Sequence, residues 1–329
     1  MDLCEHKSVI TRRGFTLSYY VSKPNNAGPT LLLQHGFPDD ARLWDGIVKH
    51  LSLYHLIIPD LLGYSDTSKP TDPTAYNYVD HTGDIVEILD AENVNKVVSV
   101  GHDFGAIIAQ RLYIHHPHRV EGLILLSLGY VLPSASPPNL EKANAQFEAA
   151  FGYPAFAYHE FLLSDDAPAL LRANVDRFYY AMHGAPRDWM KQIWCTRGAM
   201  SKWLRDRDWQ VELRSYAQDP ALRRTFEERF QRDGFEGPLC YYKAMYSSMQ
   251  YDTTKDLDKD RFVVRVPTCH VTCTQDPICR PELSIAAKNG GFLPDLEEHT
   301  VDSGHWIPLE KPEGVAKLMD SFLQRRFLA

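Results

Sequence analysis

An acidic residue set between two glycines, Gly101-His102-Asp103-Phe104-Gly105, is the arrangement in this chain best suited to covalent chemistry. A β-branched run (Val97, Val98, Val100) precedes it, and Ala106, Ile107, Ile108, Ala109 and Leu112 follow at helical spacing. The pattern predicts a buried strand, a tight turn and a helix. Small flanks suit a nucleophile elbow, where the turn is strained and strand and helix pass close together. A serine at the tip would suit ester hydrolysis. The carboxylate of Asp103 would instead attack carbon by displacement and leave an alkyl ester on the protein. The helix N-terminus behind it favours the ionised form. The same five residues also fit an ordinary strand-to-helix turn, so the remaining motifs decide.

The next of these is the strand Thr30-Leu-Leu-Leu-Gln, which runs straight into His35-Gly36-Phe37-Pro38. Gly36 lets the backbone turn sharply and Pro38 fixes it, so the amide of Phe37 is expected to point at an anion near the sheet's carboxyl edge. With the amide of Phe104 it makes an oxyanion hole. On the elbow and this His-Gly-x-Pro sequence the chain resembles the α/β-hydrolase superfamily and, within it, the epoxide hydrolases. The resemblance covers nearly the whole chain. It implies the α/β-hydrolase fold: a mostly parallel eight-stranded sheet flanked by helices, with an inserted helical cap. Members of the superfamily carry nucleophile, acid and histidine in that order, and Asp103, Asp276 and His305 match it here. Asp276 is expected to accept the Nδ1 proton of His305 and so leave Nε2 free to take a proton from water. Asp302 is the alternative acid, but stands too close in sequence to reach the outer side of the imidazole easily.

Opening an epoxide leaves an alkoxide, which needs an acidic hydrogen above the nucleophile. Epoxide hydrolases use two cap tyrosines. By resemblance Tyr158, in Ala157-Tyr-His-Glu-Phe, matches the first, with Tyr153 as the alternative, and Tyr242 matches the second. Phenols with an ordinary pKa near ~10 stay protonated at neutral pH and can donate. His35, Trp306 and Tyr153 are expected at the substrate, His35 chiefly as a brace for its own loop. The implied reaction converts a small-molecule apolar epoxide to a vicinal diol through an aspartyl ester, with no metal and no organic cofactor. Haloalkane and haloacid dehalogenases are the alternative, but Phe104 and Phe37 stand where those enzymes carry donors for the halide or for a substrate carboxylate. A non-catalytic receptor on the same fold is the third reading. One departure is Gly63-Tyr64-Ser65-Asp66-Thr67, where the family often has Gly-x-Gly-x-Ser; it bears on loop shape.

The elements that must position these residues follow from periodicity. Phe15 to Val21 alternates as an edge strand, and Leu56 to Asp60 and Leu123 to Leu128 read as buried strands. Leu43, Trp44, Ile47, Val48 and Leu51 mark one helix face, and Ile85, Val86, Ile88 and Leu89 another. Pro133, Pro137 and Pro138 break the pattern before a long aromatic segment without strand-like runs. This gives a core of residues 1–133 and 253–329 around a helical cap of 134–252. Thr268 to Cys273 and Leu296 to Val301 then lead into the loops of Asp276 and His305. His115-His116-Pro117-His118 looks like a metal cluster but lies at a helix end, where solvated loop histidines are expected.

Composition sets the outer limits. A net charge of −8 argues against nucleic acid or an anionic membrane as the main partner. No apolar run is long enough to span a bilayer and the start lacks the apolar core of a signal peptide, so a cytoplasmic protein is expected. A homodimer stays open. The six cysteines form no CxxC pair and are read as free thiols, with no thiol role for Cys273 or Cys279.

Overall fold

The computed structural model describes residues 1–24 and 28–328. Its centre is a sheet of eight strands: β1 (Cys4–Ile10), β2 (Thr16–Ser22), β3 (Thr30–Gln34), β4 (His55–Pro59), β5 (Val97–His102), β6 (Val120–Leu126), β7 (Thr268–Cys273) and β8 (Leu296–Val301). They lie in the order β1-β2-β4-β3-β5-β6-β7-β8. The β1–β2 and β2–β4 pairs are antiparallel and every other pair is parallel. All residues of β5 are buried, as its unbroken apolar run requires of a central parallel strand covered on both faces. The helices α1 (Tyr78–Ala91) and α2 (Phe104–His115) flank the sheet, α2 leaving β5 directly at Asp103.

Register puts the reactive loops together. Gln34 pairs with Gly101, so the loops after β3 and β5 open side by side. Cys273 pairs with Val301, which does the same for the loops after β7 and β8. Parallel strands all point one way, and their carboxyl ends therefore gather four loops on one edge.

Between β6 and β7 the chain leaves the sheet and forms helices, among them α3 (Leu140–Phe151), α4 (Ala157–Leu162), α5 (Val175–His183), α6 (Pro220–Asp233) and α7 (Glu236–Tyr246). This insert has a core of its own. Trp189 and Trp209 pack edge-on against Trp203 at centroid distances of 4.8 and 5.2 Å. The Arg177 guanidinium lies 3.4 Å from the Trp203 ring centroid and donates to the carbonyls of Trp203, Asp206 and Trp209. A final helix, α8 (Pro312–Leu323), returns to the sheet. Among the described residues no helix is long and apolar enough to cross a membrane.

Three sequence expectations are corrected. The strand read at Phe15 to Val21 is β2, and it is not an edge: β1 covers it. Glu5, His6 and Lys7 hide β1 from any apolar pattern, because an edge strand exposed to water needs none. The helix expected from Leu43 to Leu51 is two short pieces, Ala41–Trp44 and Asp45–Val48, although its apolar residues are buried as the spacing implied. Of the histidines at the end of α2, only His118 is exposed. His115 and His116 are half-buried, and burial lowers the His115 imidazole to about 4.

Candidate active site

Asp103 sits at φ 55° and ψ −125°, outside the usual regions for a residue with a side chain. Such a conformation costs roughly 1–3 kcal/mol and persists only where the surroundings over-determine it. Here three glycines do so. A Cβ on Gly101 would collide with the Gly105 carbonyl, one on Gly105 with the Gln34 carbonyl, and one on Gly36 with the Asp103 side chain. The turn is thus locked between β5, α2 and the loop after β3.

That loop supplies the first partner. The Phe37 amide donates to Asp103 Oδ1 at 2.9 Å. The Phe104 amide is the first of α2 and has no carbonyl four residues back within the helix to bind. On the other side, His305 Nε2 stands 3.4 Å from Asp103 Oδ2, and its Nδ1 is 2.6 Å from Asp276 Oδ2. Asp276 Oδ1 accepts from the amides of Ile278 and Cys279, each at 2.9 Å. The His305 carbonyl accepts from His102 Nε2 and Ser127 Oγ, which fastens its loop to β5 and the end of β6. Asp302, the alternative acid, is largely exposed and bonded to Thr274 and Gln275.

The charges follow from this packing. Burial alone would push the His305 imidazole down, but the Asp276 charge and hydrogen bonds to Asp103 and Asp276 outweigh it, and the group is held well above its ordinary value. Burial alone would raise Asp103. The hydrogen bond and charge of His305, with the Phe37 amide, prevail and hold it below the usual carboxylate range. With that of Asp276, all three shifts run in the direction of a carboxylate–imidazolium pair with a second carboxylate behind it.

A cavity of about 450 Å³ opens above Asp103. Phe104, Ile107, Leu128 and Val131 line its apolar part, and it reaches exposed residues such as Ser136, Asn139 and Lys142. Tyr158, from α4, and Tyr242, from α7, also line it, their rings nearly perpendicular with centroids 6.0 Å apart. Burial, then the Asp103 charge on Tyr158 and the Tyr158 hydroxyl on Tyr242, push both phenols well above their ordinary value, so both are protonated donors.

Three expected substrate contacts lie elsewhere. Tyr153 does not line this cavity; its hydroxyl donates to the Pro277 carbonyl at 2.8 Å. His35 is wholly buried: its Nε2 accepts from the Leu61 amide, its Nδ1 donates to the Gly36 carbonyl, and burial lowers it to about 4. It is a neutral brace for its loop. Trp306 turns its Nε1 to Asp39, a carboxyl that burial pushes up to about 7. Residues to which the sequence reading assigned no role take their places in the wall: His159, Met245, Tyr246, Ile278 and Cys279, the last a thiol expected to have none. Only Cys279 carried a signal, its place three residues after Asp276.

The family model for the alpha/beta hydrolase fold matches residues 29–312. Among curated proteins, the chain is 28% identical to "Epoxide hydrolase 3" of Siraitia grosvenorii, with 99% of this chain and 100% of that protein aligned. It is 24% identical to "Bifunctional epoxide hydrolase 2" of Sus scrofa over 97% of this chain, and spans 55% of that longer protein. Among solved structures, epoxide hydrolase A from Mycobacterium thermoresistibile superposes with a TM-score of 0.79 at 23% identity, covering 98% of both chains. An epoxide hydrolase from an endophytic Streptomyces gives 0.82 at 21%, covering 98% of this chain and 96% of that one. These structural likenesses concern the fold.

Proposed function

Since this chain belongs to the alpha/beta hydrolase fold family, we propose that it is an epoxide hydrolase, opening a small-molecule apolar epoxide to a vicinal diol through an ester on Asp103. One observation carries the reading: a carboxylate at the elbow tip faces two buried, protonated tyrosines across one cavity. The names of the relatives support it. In this reading the helical insert, residues 134–252, is the cap, and residues 1–133 and 253–329 are the core.

The chemistry follows from the charges. Asp103 Oδ2, free of backbone donors, attacks a ring carbon while Tyr158 and Tyr242 hydrogen-bond to the ring oxygen. The ring C–O bond breaks, the oxygen takes a proton from a tyrosine, and the imidazolium proton restores that tyrosine. Ester formation also removes the Asp103 charge that helped hold His305 protonated, so the imidazole becomes a neutral base. It takes a proton from water as the hydroxide adds to the ester carbon, with the oxyanion on the amides of Phe37 and Phe104. Collapse breaks the ester bond, and the departing diol oxygen takes the hydroxyl proton of the restored carboxyl. Water is added with no net change in protons, and Asp103 and His305 end charged as they began.

A halide-releasing reaction is less well served. The side chains flanking Asp103 are Phe104 and Phe37, rings that pack edge-on against Tyr242 at 5.0 and 5.1 Å and donate nothing to a halide.

The test is the intact mass of the His305→Gln protein after exposure to a panel of epoxides and alkyl halides. An adduct with the whole epoxide mass, mapped to Asp103, is expected. Adducts from halides alone, or epoxide adducts away from Asp103, would overturn the proposal.

A further inference from the structure

Among the polar groups of the cavity wall that the proposed reaction leaves unused is the thiol of Cys279. Cys279 follows the acid in the same loop, its amide bonded to Asp276, and its side chain faces the space above Asp103. Among the described residues, Asp103, Cys279 and His305 bring a carboxylate oxygen, a sulfur and an imidazole nitrogen within 4.8 Å of one another.

This donor set is selective. Sulfur and imidazole nitrogen suit Zn²⁺ and Cd²⁺, whereas Mg²⁺ and Ca²⁺ demand oxygen. Tetrahedral zinc, with bonds of about 2.0–2.3 Å, spaces its donors roughly 3.3–3.7 Å apart. The Asp103–His305 pair stands at 3.4 Å already, and rotation about the Cys279 Cα–Cβ bond adjusts the third donor. Behind the trio, Asp276 accepts from Nδ1 and presents Nε2 outward, the carboxylate–histidine arrangement that orients metal-binding imidazoles. The fourth position opens on the cavity, where water can complete the shell.

We propose that Asp103, Cys279 and His305 form an inhibitory binding site for a thiophilic divalent cation, with Zn²⁺ as the ligand that fits best. Binding makes metal–oxygen, metal–sulfur and metal–nitrogen bonds and releases the thiol proton and the Nε2 proton to solvent, with no change of oxidation state. The two anionic ligands balance the ion's charge. Thiol and imidazole bind a metal only when deprotonated, so any proton on either is displaced and binding strengthens as pH rises. Occupancy ties up the nucleophile and the base together. The inhibition rests on the proposed function; the binding site does not.

The experiment titrates Cd²⁺ and Zn²⁺ into the full chain. Expected with Cd²⁺ is an ultraviolet thiolate-to-metal absorption band saturating at one ion per chain. Expected with Zn²⁺ is proton release and loss of epoxide turnover, reversed by a chelator and not reproduced by Mg²⁺. Cys279→Ser keeps the main-chain bond to Asp276. It should abolish the band and weaken Zn²⁺ binding, measured against a chromophoric chelator, by more than the roughly 10- to 100-fold that follows loss of a group hydrogen-bonded to a metal ligand. Cys4→Ser, at a half-buried thiol far along the chain, should keep the band. X-ray absorption of zinc-loaded wild-type protein reads the shell without any variant, and one sulfur among nitrogen and oxygen donors is expected. A band that survives in Cys279→Ser, or a shell without sulfur, overturns the site. A Cys279-dependent band in a protein that turns over no epoxide upholds the site and removes the epoxide reading.

Discussion

At the carboxyl edge of the sheet the reacting groups are tied to main chain. Asp103 Oδ1 takes the Phe37 amide, Asp276 Oδ1 takes two amides, and the His305 carbonyl is pinned by His102 and Ser127. In the helical insert the two phenols are placed by ring packing. Tyr158 lies edge-on to His159 at 4.2 Å and Trp194 at 4.8 Å, and Tyr242 to His159 at 4.9 Å. The difference matches what the proposed reaction asks of each group. A full charge in a buried site gains or loses strongly with small displacements, so it is fixed by short directional bonds. A neutral donor to a developing alkoxide tolerates some drift, and packing suffices. The two regions meet at Tyr242, which rests on the rings of Phe37 and Phe104, the residues whose amides would hold the oxyanion in the proposed reaction.

Substitutions in the two regions should therefore differ in kind. Asp103→Asn keeps shape and removes the nucleophile. Its kcat on any substrate epoxide should fall by about 10⁴ or more, with thermal unfolding little changed. Residual turnover above that level would break the view of the sheet edge as the covalent centre. Tyr158→Phe and Tyr242→Phe should each slow ester formation by about 10²-fold, with the double variant far slower, as single-turnover adduct formation in the His305→Gln background would show. If one tyrosine alone carried the whole effect, the insert would hold a single donor rather than a pair. Smallest is Tyr153→Phe: kcat should stay within about threefold, and loss of the bond to Pro277 should cost stability of about 1 kcal/mol in denaturant unfolding. A loss of activity equal to that of Tyr158→Phe would exchange the two assignments.

The same contrast explains what could be read from the chain in advance. The elbow was legible because its constraints are local: steric collisions at Gly101 and Gly105 leave no other residue, and β5 announces itself as an apolar run. The four-loop edge followed from the order of strands. The insert was not legible in this way. Whether Tyr153 or Tyr158 faces the nucleophile depends on how short helices turn against the sheet, and helices of the length of α4 carry no usable periodicity. Trp306 and His35 adjoin catalytic motifs in sequence, yet their side chains point into packing, Trp306 against Asp39 and His183 and His35 against the Leu61 amide and Tyr64. Polar β1 escaped notice because its stability comes from hydrogen bonds to β2 rather than from buried side chains. Cys279 was passed over as a thiol because proximity to His305 arises only when the loops after β7 and β8 fold together.

The position of the insert also has a consequence for biosynthesis. β6 ends at Leu126 and its parallel partner β7 begins only at Thr268, with Leu126 pairing with Val271. At translation speeds of about 5–20 residues per second, the ribosome needs on the order of ten seconds to bridge that gap. Throughout it, the growing sheet offers one open, strongly apolar edge to any strand nearby. The helices that emerge in this interval bury their own aromatic residues and need no strand partner, so they can fold while that edge waits. A chaperone that binds extended apolar segments would find β6 on the nascent chain during those seconds, and lose it when β7 arrives.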